Sequence, residues 1–144
     1  MTYLVFSQEH GALPYDKLAA HAGRFFSAKL ELLAQGEDAI SVRLVCTRPR
    51  LHGEFRIAAR ATSKDDLMSA RDAEARGRAA GMAALADRCE RVWTIDPAHS
   101  EVPSEAAYLT LAALCASVAL GPVLPPDGLT LFGVRGAIER RDKS

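Results

Sequence analysis

From Ala106 to Leu124 the chain is almost entirely apolar, and no other stretch limits its fold so tightly. A run of this length approaches what a helix needs to cross a bilayer, about 20 residues. The details argue against a membrane span. The run is largely alanine, carries Thr110 and Ser117, is interrupted by Gly121-Pro122, and is flanked by Glu105 and Asp127 where basic anchors belong. Protein must therefore keep this helix out of water, supplied either by its own sheet or by a second copy of the chain.

The material for such a core is present. Of 144 residues, 49% are hydrophobic and 25% charged, which suits one globular domain over 1–144, with no repeat, linker or composition break. Eighteen basic side chains balance eighteen acidic ones, which excludes a uniformly basic nucleic-acid binder but leaves room for local patches. Cys46, Cys89 and Cys115 are odd in number, far apart and without a C-x-x-C pair, as expected in a reducing compartment. Met1 to Gly11 lacks the pattern of a signal peptide, so a cytoplasmic location is expected.

Thr2 to Ser7 reads as a strand, and Pro14 opens a helix to about Leu33 in which Leu18, Ala22, Phe25 and Leu32 recur at helical spacing. Ala39 to Cys46 and Glu54 to Ala61 alternate as two strands of an antiparallel hairpin, with a rather long tip from Thr47 to Gly53. Thr62-Ser63 offers an N-cap to a helix reaching about Arg91, with Asp65 and Asp66 in its first turn. Val92 to Ile95 gives a fourth strand. Pro103-Ser104-Glu105 then starts the apolar helix and Gly121-Pro122 stops it. Leu129 to Val134 is a last strand, and the charged tail from Gly136 frays.

The first six elements match the split β-α-β-β-α-β arrangement called ferredoxin-like. The expected fold class is thus α+β: a ferredoxin-like core with a C-terminal α-β extension, its helices on one face of the sheet. The alternative is a mixed α/β sheet covered on both faces, which the all-round apolar helix favours.

Charge is the least even feature. Arg43, Arg48, Arg50, Arg56 and Arg60 crowd the hairpin against the single acid Glu54, whereas Val92 to Val134 holds four acids and no lysine or arginine. Guanidinium groups take carboxylate or phosphate oxygens bidentately, so these five residues are the candidate surface for an anion or an acidic partner. The competing account is a solvated sheet face neutralised by acids from elsewhere. An RNA platform is not expected, because the only aromatic in the relevant strand, Phe55, faces the core by alternation.

His10, His21, His52 and His99 form no pair at metal-ligand spacing. His52-Gly53-Glu54 and His99-Ser100-Glu101 fit only the short H-x-E piece of zinc deaminases, without P-C-x-x-C, so neither metal nor cofactor is expected. Cys46 beside Thr47-Arg48 looks like an activated thiol, but its alternation with Leu44 buries it. Gly77 and Gly81 signal close packing rather than a phosphate loop. Two loop groups remain: Gln8, Glu9 and His10 after the first strand, and Asp96, His99 and Glu101 after the fourth. They share an acid-base site only if those strands run parallel.

The function expected from these features is a non-catalytic cytoplasmic interaction protein, of adaptor, inhibitor, immunity or antitoxin type. It presents the arginine hairpin to an acidic partner or anion. The alternative is a small enzyme or ligand-binding domain with a His/carboxylate pocket at strand ends. A protein partner or self-association is expected, and neither nucleic acid nor membrane.

Overall fold

The chain runs β1 (Tyr3–Ser7), α1 (Tyr15–Phe25), β2 (Ala28–Gly36), β3 (Ala39–Thr47), β4 (Arg50–Ala61), α2 (Lys64–Gly77), α3 (Met82–Ala86), β5 (Arg91–Pro97), α4 (Glu105–Ala119), β6 (Val123–Leu124) and α5 (Val134–Lys143). This is a computed structural model that describes residues 1–77 and 81–144. The strands form a single six-stranded sheet in the order β2-β3-β4-β5-β1-β6, and every neighbouring pair is antiparallel. With five helices among the described residues, the fold is α+β.

It does not have the ferredoxin-like order. That core separates the strands on either side of its second helix by inserting the first strand between them. Here α2 and α3 link β4 to its immediate antiparallel neighbour β5, and β1 lies outside that pair, next to β6. Coverage also differs from the one-face expectation. Strand alternation sends Tyr3, Val5, Trp93 and Ile95 into a core shared with α1, α4 and α5, and sends Phe6 and Val92 into a second core shared with α2 and α3. Both faces are covered at the β5-β1-β6 end, while on the α2 side the β2-β3-β4 half lies open, with Arg56, Val45 and His52 exposed.

Helix α4 is the pivot of the larger core. Ser104 caps it by accepting the Ala107 amide at 3.2 Å. Every residue from Ala107 to Ala116 is buried, as are Val118 and Ala119. Its hydroxyls are satisfied along the helix: Thr110 donates to the Ala106 carbonyl at 2.9 Å and Ser117 to Leu114 at 2.6 Å. Strands β1, β4 and β6 and helices α1 and α5 surround it, so the apolar segment is buried by its own chain and gives no reason for a second copy.

Tyr108 is the exception to this satisfaction. Its ring stacks on Tyr3 and meets Phe55 edge-on, both at 5.0 Å between centroids, while its buried hydroxyl has no hydrogen-bond partner among the described residues. Burial, with Asp96 adding to it, pushes the phenol up to about 12. An unpaired buried hydroxyl costs about 1–3 kcal/mol of desolvation. Tyr108→Phe is therefore expected to raise stability by about 1 kcal/mol, read as a higher urea midpoint at unchanged slope.

Five stretches differ from the sequence reading. Helix α1 stops at Phe25, Ser27 turns the chain at φ +49, and residues expected to continue the helix form β2 instead. The hairpin tip is tight: Thr47 pairs with Arg50, leaving Arg48-Pro49 as the turn, and β4 begins at Arg50 rather than Glu54. The long helix expected after Ser63 is two, α2 and α3, and its middle, residues 78–80, lies outside the described residues. Gly77 does pack closely, since a Cβ there would sit 2.7 Å from the Thr130 side chain, whereas Gly81 serves a left-handed turn at φ +90. The expected last strand reduces to one bridge, Val123 to Phe132, and the tail expected to fray is α5, packed through Ala137 and Ile138.

Candidate functional site

Strand β4 outruns its neighbour. Its pairing with β5 ends at Phe55 opposite Pro97, so residues 50–54 have no strand on that side. The chain from Ala98 to Ser104 crosses there instead, starting from the Ala98 amide, which donates to the Glu54 carbonyl at 3.1 Å. Gly53 permits the approach, because a Cβ at that position would lie 3.0 Å from the Pro103 side chain. Between this loop and the hairpin arm opens a cleft of about 480 Å³ lined by Arg43, Arg50, His52, Glu54, His99 and Glu101, among others.

Glu54 is its centre. His99 Nε2 stands 3.0 Å from one carboxylate oxygen and Arg43 Nη2 3.4 Å from the other. The hydrogen bond from His99, more than the nearby Arg43, holds the Glu54 carboxyl below its ordinary range. Arg43 also reaches Glu31 across the β2–β3 pair at 3.3 Å. Glu54 is thus an ionised acceptor already engaged by two donors, and Arg50 and His52 are the exposed donors left for a ligand. Ser104, the only hydroxyl of the lining among the described residues, caps α4. The cleft can hold an anionic group and pass a proton through His99, but among the described residues no hydroxyl or thiol is hydrogen-bonded to that histidine.

The other arginines are dispersed. Arg60 forms a two-pronged pair with Asp66 at 2.6 and 3.0 Å. Asp66 in turn accepts the Ser63 amide at 2.8 Å while its own amide donates to the Ser63 hydroxyl at 3.1 Å, a reciprocal cap on α2. Arg56 stands on the open sheet face, opposite Asp96 in register, without an ion pair among the described residues. Arg48, at the turn, faces a different cavity with α1, α4 and α5.

The two histidine loop groups do not meet. Antiparallel pairing puts Ser7 beside Arg91 at one end of β1 and Tyr3 beside Ile95 at the other. Glu9 pairs with Lys17 at 2.9 Å and exposed His10 lies 3.6 Å from Glu90, both at the far end from His99. Asp96 accepts a hydrogen bond from the Thr2 hydroxyl. What the structure brings together is Arg43, Arg50, His99 and Glu101, joined by His52 and Glu54, which the sequence reading did not select. One signal pointed to Glu54: it is the lone acid among the five hairpin arginines.

No cysteine is activated. Burial raises Cys46 despite the nearby Arg141 charge, raises Cys89 to about 11, and raises fully buried Cys115 further still. Among the described residues no group of three potential metal ligands gathers, and no helix is long and apolar enough to cross a membrane. Comparisons with protein families, with curated proteins and with solved structures found no match.

Proposed function

We propose that this chain is a non-catalytic interaction protein whose β3–β4 arm receives the carboxylates of an acidic protein partner. The observation that carries this reading is the cleft itself, where exposed Arg50 stands beside Arg43, His52 and His99 and the one hydroxyl of the lining among the described residues, Ser104, is engaged as the cap of α4. Arg56 extends the same charge along an open antiparallel face, and both arginines lack an ion pair among the described residues. Cytoplasmic residence is part of the proposal, supported by three cysteines that are all unpaired. One observation favours a second reading, a small ligand-binding or proton-transfer site: the His99 to Glu54 contact of 3.0 Å.

The test is anisotropy titration of a fluorescent octaglutamate peptide at low salt. Arg50→Glu with Arg56→Glu is expected to weaken binding about tenfold or more, as reversal of unpaired rim charges does. The urea midpoint should not move, since both side chains are exposed. Undiminished binding in the double variant overturns the acidic-partner reading. Binding lost in His99→Gln but retained in the arginine variant would transfer the site to the second.

A further inference from the structure

On the opposite face of the hairpin from that cleft, a cavity of about 540 Å³ opens beneath the turn, between α1, α4 and α5. Its volume lies in the range of small-molecule sites, about 300–1,000 Å³. Phe25 and Phe26 form one part of its wall, and Val134 and Ile138 of α5 another. Phe25 is 60% exposed, a large apolar side chain at the lip. The turn is fixed over this space, because both the amide and the hydroxyl of Thr47 donate to the Ser27 carbonyl, at 3.2 and 3.1 Å. Arg48, the next residue, lines the cavity.

Arg141 lines it from α5 and is the informative group. Its side chain is 11% exposed, and its Nε donates to Asp142 at 3.1 Å, a neighbour that is itself 59% exposed. Neither terminal nitrogen of the guanidinium has a hydrogen-bond partner among the described residues. These nitrogens are not sealed from water, so a ligand's oxygens can reach them and form charge-assisted hydrogen bonds in place of solvent. His21 adds a third polar group. The Ser117 hydroxyl already donates to Leu114 at 2.6 Å, so at 3.1 Å His21 Nδ1 is the donor to Ser117. Nε2 is left without a partner among the described residues.

We infer that this cavity binds a small carboxylic acid with a compact apolar body. The carboxylate is held by Arg48 and Arg141, and the body lies between the phenylalanines and α5. Charge complementarity selects the carboxylate, because a guanidinium presents two parallel donors that match its oxygens. The apolar walls select what is attached to it. The site is separate from the acidic-partner cleft and does not depend on that reading.

The experiment is calorimetric titration of the whole chain with 2-naphthoate, with its uncharged isostere 2-naphthamide, and with acetate. Naphthoate is expected to saturate at one equivalent, the amide to bind about tenfold or more weakly, and acetate not to compete, since it carries the charge without the body. Arg48→Gln with Arg141→Gln should close the gap between acid and amide, and Ile138→Trp should abolish binding by filling the space. Should Arg141→Gln fail to fold, Arg48→Gln alone must narrow the gap, because Arg48 is exposed at the turn. Arg50→Glu with Arg56→Glu should leave naphthoate affinity unchanged. Three results would each overturn the inference: equal binding of acid and amide, displacement by acetate at equal concentration, or an acid-to-amide ratio unmoved by the arginine changes. Absence of any naphthoate binding would do the same.

Discussion

Gly121→Ala is expected to unfold the protein or to leave it with little of its stability. A Cβ at Gly121 would sit 1.9 Å from the carbonyl oxygen of Phe6 and 2.6 Å from its carbonyl carbon, with the Cys89 sulfur at 3.1 Å. The obstructing atoms are backbone, and neither side can retreat. The Phe6 amide donates to the Pro122 carbonyl at 2.9 Å and the Gln8 amide to Ala119 at 2.8 Å, tying the end of α4 to β1. On its other side β1 is paired with β5, with Phe6 opposite Val92. Relief therefore requires parting the sheet or withdrawing α4. The expected loss is about 4 kcal/mol or more, the range of the severest single changes, out of about 5–15 kcal/mol for a whole domain. Gly36→Ala is the control, since a Cβ there comes no nearer than 3.8 Å to the Ala39 carbonyl oxygen. It should cost less than about 1 kcal/mol. Urea denaturation of both variants checks the contrast, and similar midpoints would show that the corner yields.

Asp66→Asn should cost about 2 kcal/mol at neutral pH and much less in acid, combining the worth of a helix cap with that of a half-exposed ion pair. The carboxylate is only 7% exposed and joins Arg60 to the start of α2. The hydrogen bonds from Arg60, against the opposing effect of burial, hold it below the ordinary carboxylate range. A carboxyl whose folded value is depressed takes up its proton first in the unfolded chain. Its contribution is complete above the unfolded value, about 3.9, and disappears as the pH falls through the folded one. The native protein should lose stability on acidification along that course, and the Asn variant, having no proton to take up at this site, should lose less. Urea midpoints of both proteins at pH 7 and pH 3 measure the effect. A constant difference between them would mean that the pair contributes nothing through its charge.

The sequence shows the fold where local chemistry and tertiary packing agree. Ser63 with Asp66, Ser104 before the apolar helix and Gly121-Pro122 after it are legible because caps and breakers act within a few residues. Ala28 to Gly36 is misleading for the opposite reason. Ala-Lys-Leu-Glu-Leu-Leu-Ala-Gln is made of strong helix formers, and pairing with β3 along its length overrides that preference. Adding this strand changes the sheet, which is why the ferredoxin-like order was the natural expectation and is not the observed one. The cleft was legible in its parts and not in its assembly. Glu54 and His99 are 45 residues apart, and only the overrun of β4 past β5 brings them within a hydrogen bond. Arg141 could not be selected at all, because its place at the wall of a cavity shared with α1 and the hairpin turn exists only once α5 packs against the core.

The position of β1 has a temporal consequence. This strand, Tyr3 to Ser7, is made before the other five, yet its two neighbours are built from residues 91–95 and 123–124. The meander of β2, β3 and β4 can assemble while the chain is still growing, since each strand pairs with the next. The oldest strand has to wait through most of synthesis with Phe6 and Val5 uncovered, and it finds its place only when the last third of the chain has emerged. Nascent chains halted before Arg91 should therefore expose β1 as a sticky segment for which a chaperone would compete.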